Sequence, residues 1–168
     1  MEAASIFKAL RAAVTGDVGG TGRAAADMLA AGGANLAFCT PRAGDAAAAV
    51  QALSEHGTYV TVTTIGLADG DALARWVNTA AADFEGLDLV LCCLGPAPAA
   101  AAVHLLKAAR PHLLRSPHGH FVAVGDAGLR AALAPEAADL RLRVLSESEI
   151  GGAADPAALA RLLGDAGR

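Results

Sequence analysis

The sequence predicts an α/β protein, a Rossmann-like doubly wound parallel sheet of five to six strands in three αβα layers. Three observations predict it. Thr15-Gly16-Asp17-Val18-Gly19-Gly20-Thr21-Gly22 sets a glycine-rich turn between a strand-like and a helix-like stretch. Strand-like and helical-period segments then alternate through the first three quarters of the chain. Segment 87–93 is apolar apart from Asp88, as expected of a strand buried on both faces. Strands separated by helices in this way run parallel, because each parallel pairing needs a crossover.

Each element has a local reason. Residues 11–15 read as a short strand running into the turn. Residues 23–31 read as a helix with Ala25, Met28 and Leu29 facing inward, closed by Gly32-Gly33. Residues 35–40 form a second strand, which Pro41 stops. An alanine-rich helix over 45–56 ends at Gly57, and the β-branched stretch 59–63 is a third strand. In 71–85, Leu73, Trp76, Val77, Ala80, Ala81 and Phe84 recur on one helical face, with Asp69 as N-cap. Strand 87–93 follows, then a helix over 98–114 that Pro111 is expected to kink, then a fifth strand over 120–124. Beyond Ala127 no sixth strand of normal length stands out. Residues 140–145 are the only candidate there and suit a helix as well. A short last helix is expected over 156–163, with Asp155 as N-cap and Pro156 at its first position.

The bulk composition bounds the function. A chain of 168 residues is expected to form one domain, 1–168, with a sizeable core. The apolar fraction of 54% includes 44 alanines, so packing rests on Leu, Val, Ile and the few aromatics. Net charge is −4 with no basic run, which argues against a nucleic-acid partner. No apolar stretch reaches the length of a membrane span, and no secretory signal is visible at the start. Cys39, Cys92 and Cys93 have no metal-ligand spacing, and no metal site is expected. Free cysteines fit the cytoplasm or another reducing compartment, an organelle if the source is eukaryotic.

In a doubly wound sheet, ligands sit beyond the carboxyl ends of the strands. That edge would gather the glycine turn, Thr40 to Arg42, Ile65 and Gly66, Cys92 to Gly95, and Gly125 with Asp126. Glycines let the backbone bend sharply and approach a pyrophosphate, and the helix that follows offers unpaired N–H groups.

At these residues the chain resembles the short-chain dehydrogenase/reductase family. The family's Thr-Gly-x-x-x-Gly-x-Gly falls on Thr15, Gly16, Gly20 and Gly22. Phe84-Glu85-Gly86-Leu87-Asp88 looks like the family's approach to strand four, and Pro111 resembles its proline in helix four. The match is good over 1–126 and loose over a shortened tail, 127–168. The resemblance implies a Rossmann fold that uses NAD or NADP, with Thr15, Gly16, Gly20, Thr21, Gly22, Arg42 and Gly95 as cofactor-binding residues. Arg42 suits a 2′-phosphate, and no acid ends strand two, so NADP is preferred over NAD. Val18 and Gly19 stand where relatives often place a serine and a basic residue for a 2′-phosphate, and Asp17 adds negative charge near where phosphate would lie.

The chain departs from the pattern where the chemistry lies. The family's Asn-Asn-Ala-Gly is Cys92-Cys93-Leu94-Gly95, and the two cysteines read as small hydrophobes. The acid expected after strand three falls at Gly66. The catalytic serine falls at Gly125 or Asp126, which leaves Asp126 as a candidate acid beside its plainer role as a turn residue. The family's Tyr-x-x-x-Lys has no counterpart: the only tyrosine is Tyr59, and the only lysines are Lys8 and Lys107. The catalytic helix and the strand after it therefore read as deleted. Of the histidines, His104 and His112 fall on the fourth helix, and His118 and His120 precede strand five; all are expected to face solvent.

Three functions follow from this reading. One is a structural or regulatory subunit, joined to a protein partner or to copies of itself. Another is an active NAD(P)H oxidoreductase using Asp126, a histidine or a partner's residue as acid. The third is a non-catalytic NADP(H) sensor.

Overall fold

The computed structural model describes residues 7–16, 21–95, 98–137 and 141–145. In chain order the elements are β1 (Arg11–Thr15), α1 (Thr21–Ala31), β2 (Asn35–Thr40), α2 (Ala43–Ser54), β3 (Val60–Thr64) and α3 (Gly70–Phe84). Then come β4 (Leu89–Cys92), α4 (Ala99–Arg115), β5 (His120–Val124), α5 (Ala127–Leu133), a 3-10 turn at Ala134–Glu136 and β6 (Arg141–Leu145). The strands form one six-stranded sheet in the order β3-β2-β1-β4-β5-β6. Every pairing is parallel, so all carboxyl ends share one edge. The order reverses between β1 and β4, which is where a doubly wound sheet opens a crevice.

Alternation along the strands divides the core into two layers. Ala12, Val14, Leu36, Phe38, Leu89 and Leu91 pack with Ala25, Leu29, Ala49 and Leu53 of α1 and α2. Ala13, Ala37, Val90, Cys92, Phe121 and Ala123 face the other way, toward Leu73, Trp76 and Val77 of α3, Leu105 and Leu106 of α4, and Leu133 of α5. A period of two in strands buried on both faces produces this division. The chain's many alanines serve it at Ala101, Ala102 and Ala109, buried positions on α4.

Local signals acted as read in several places. The Asp69 side chain accepts a hydrogen bond from Ala72 N at 3.0 Å and caps α3. Gly33, at φ 98°, closes α1, while Gly33 N and Ala34 N donate to the Ala30 and Leu29 carbonyls. Helix α4 ends at Arg115, close to the expected 98–114, and Pro111 lies inside it.

Other expectations need correction. A sixth strand exists: residues 141–145 pair in parallel with β5 along its whole length. The strand after β5 is therefore present, and so is a helix before it, α5, of seven residues. Strand four is shorter than 87–93. Asp88 N and Cys93 N, at either end, donate to the Arg11 carbonyl and to Thr15 Oγ1. His120 is buried, because β5 lies between β4 and β6 inside the sheet. The expected helix over 156–163, with Asp155 and Pro156, lies outside the described residues.

Candidate functional site

Parallel strands bring Thr15, Thr40, Thr64, Cys92 and Val124 to the carboxyl edge. Thr15 is fully buried, and its Oγ1 accepts a hydrogen bond from Cys93 N at 2.7 Å. This bond ties the end of β1 to the end of β4 across the switch in strand order. On the other side, Gly16 N donates to the Cys39 carbonyl at 2.8 Å. The first glycine of the turn is thus held between β2 and β4.

Two of the turn glycines have steric reasons independent of any ligand. A Cβ at Gly22 would run into the Thr15 carbonyl oxygen and the Gly16 Cα, both backbone atoms. A Cβ at Gly16 would run into the buried ring of Phe38. Helix α1 approaches the end of β1 this closely only because Gly22 lacks a side chain. Asp17, Val18, Gly19 and Gly20 lie outside the described residues. Thr21 opens α1, placing the first unpaired N–H groups of the helix at this edge.

Arg42 stands just after β2, at the N-cap position of α2, and is exposed. It makes no ion pair among the described residues. Arg42 thus lies at the carboxyl edge of the sheet. Gly95 holds φ at 59°, in the left-handed region that favours glycine. That requirement accounts for its persistence where its neighbours differ from the family pattern.

Between the ends of β4 and β5 lies a cleft of about 500 Å³, lined by Cys92, Leu94, Pro98, Ala102, Leu129 and Asp126 among others. Among the described residues, Asp126 is the only ionisable side chain on its wall apart from Cys92. It is exposed, and its Oδ1 accepts from Leu129 N at 3.0 Å, capping α5. Cys92 is fully buried, and burial pushes its thiol well above the ordinary range, with Cys39 adding to the effect. Burial does the same to Cys39. Neither thiol is poised as a thiolate nucleophile. Among the described residues, no Lys, Arg or His lines this cleft.

The residues of the family's acid–base chemistry lie elsewhere. Tyr59 precedes β3, at the amino edge, with its ring edge-on to Phe84 at 5.7 Å. Lys8 precedes β1. Lys107 sits in α4, with Nζ 3.6 Å from Glu136 Oε1. Helix α5, reading Ala-Gly-Leu-Arg-Ala-Ala-Leu, contains neither tyrosine nor lysine. His104 lies 3.4 Å from Asp71, His112 bonds Asn78 at 2.8 Å, and His120 Nδ1 reaches the His118 carbonyl at 2.8 Å. None of these histidines lines the cleft between β4 and β5. No group of three or more metal-ligating side chains occurs among the described residues.

Sequence reasoning missed a polar network at the opposite edge. Arg11 Nη2 and Nε donate to the two Asp88 oxygens at 2.9 and 3.1 Å, and Arg11 N donates to Asp88 Oδ2 at 3.0 Å. Ser116 Oγ donates to Asp88 Oδ1 at 2.6 Å. Burial pushes the Asp88 carboxyl up, but the Arg11 side chain, the Ser116 hydroxyl and the Arg11 N–H together bring it below its ordinary value. The one sequence signal was Asp88 itself, an acid at the mouth of an apolar strand.

The fold and its carboxyl edge define a dinucleotide-binding-type Rossmann protein. The short chain dehydrogenase family model matches residues 11–109, and the chain belongs to that family. The chain is similar to a short chain dehydrogenase from Burkholderia cenocepacia solved in complex with NADP. The two are 27% identical at a TM-score of 0.64, over 97% of this chain and 72% of that one. A citronellol catabolism dehydrogenase from Pseudomonas aeruginosa shares 18% identity at a TM-score of 0.71, over 96% and 91% of the two chains. A short chain dehydrogenase from Mycobacterium paratuberculosis, solved with NAD, shares 16% identity at 0.67, over 84% and 72%. Comparison with the curated proteins gives no match. No helix among the described residues is long and apolar enough to cross a membrane.

Proposed function

We propose that this chain is a member of its family without the family's dehydrogenase chemistry, acting as a structural or regulatory subunit of an assembly. The observation that carries this reading is the passage from β5 to β6. It opens on Gly125 and Asp126 and continues into a seven-residue helix with no tyrosine and no lysine. Asp126 is engaged as the cap of that helix. General acid–base catalysis is worth about 10²–10⁴-fold, and among the described residues the wall of the adjacent cleft offers no histidine, lysine or tyrosine to supply it.

Nucleotide binding is a separate property, favoured by the NADP carried by the 27%-identical relative. If a dinucleotide binds, Thr15, Gly16, Gly20, Thr21 and Gly22 form its phosphate cradle, Gly95 lines the site, and Arg42 selects NADP over NAD. The nicotinamide group supplies hydride chemistry when bound. The residues of this chain that face it hold and orient it without a proton donor of the family type.

The reading is tested by three measurements on one preparation. Light scattering after size exclusion should give an oligomer or a complex, calorimetry should show NADP binding tighter than NAD, and NADPH should not be oxidised with ketone or enone substrates. Substrate-dependent NADPH oxidation would overturn the non-catalytic reading. A monomer with no partner would overturn the subunit role. No heat with any nicotinamide nucleotide would leave the glycines as purely steric features of the turn.

A further inference from the structure

We draw no further inference here: the strongest candidate, the outer edge of β3, an uncharged β-branched run over Val60–Thr64 at the end of the sheet with Tyr59 exposed beside it, carries nothing because nothing among the described residues shows what would pair with it.

Discussion

Among the described residues, the amino edge of the sheet carries a connected network of side-chain bonds, and the carboxyl edge carries separate ones. At the amino edge, Arg11, Asp88 and Ser116 join β1, β4 and the α4–β5 connection through side-chain bonds of 2.6 to 3.1 Å. At the carboxyl edge, the described side-chain bonds are Cys93 N to Thr15 Oγ1 and the caps at Asp69 and Asp126. Its other positions are filled by what the backbone needs: Gly16 against Phe38, Gly22 against Thr15, and Gly95 in the left-handed region. The difference separates two jobs that enzymes of this fold combine. The amino edge ties β1, β4 and the α4–β5 connection together, and the proposed reading of the carboxyl edge is a nucleotide-site shape without the family's acid–base side chains.

The largest effect should come from breaking the anchored edge. Asp88→Ala removes the partner of a partly buried guanidinium and the acceptor of two further bonds. With Arg11 still partly exposed to solvent, a loss of about 3 kcal/mol is expected in denaturant unfolding. The same site sets a pH dependence. Because its hydrogen bonds bring the folded carboxyl below its ordinary value, the Asp88 contribution is complete above the ordinary carboxylate range. It is lost as pH falls through the lowered folded value. Unfolding curves of Asp88→Asn should therefore flatten in acid relative to the parent. A parallel decline in both proteins would show that Asp88 does not anchor the edge.

A smaller effect is expected at the carboxyl edge, where one bond stands in place of a network. Thr15→Val keeps the shape and removes the acceptor used by Cys93 N. A cost of about 1–2 kcal/mol is expected in thermal or chemical unfolding. If nucleotide binds, its affinity should fall with the same substitution, because the end of β4 and the glycine turn are held together by that contact. A loss as large as that of Asp88→Ala would erase the contrast between the edges.

How far each edge was legible in the sequence follows from the range of its interactions. Asp69 was legible as a cap because its partner is Ala72, three residues on. The buried faces of α1 and α3 were legible because a helical period repeats within a few turns. Gly16 and Gly22 were legible as a turn, although their steric reasons, the ring of Phe38 and the backbone of Thr15, appear only in three dimensions. The Arg11–Asp88 pair was illegible as a pair: Asp88 stands out as an acid in an apolar strand, but its partner is 77 residues away. Strand β6 was ambiguous because Arg141-Leu142-Arg143-Val144-Leu145 is short and suits a helix as well. Pairing with β5 decides its conformation, and that is a tertiary fact. His120 was misjudged for the same reason, since its burial and its bond to the His118 carbonyl depend on the sheet closing around β5.

The smallest expected effect is the one that most sharpens the reading of the carboxyl edge. Asp126 caps α5 with one carboxylate oxygen, and asparagine caps a helix about as well as aspartate. Asp126→Asn should therefore leave stability within about 0.5 kcal/mol of the parent. Among the described residues, it removes the only carboxyl group on the wall of the β4–β5 cleft and changes almost nothing else. If Asp126 is only a cap, NADPH consumption with carbonyl substrates should be absent in parent and variant alike. Activity in the parent that disappears in Asp126→Asn while the melting curve stays put would make Asp126 a proton donor. The carboxyl edge would then differ from the amino edge in having a working acid, rather than in having lost its side-chain chemistry.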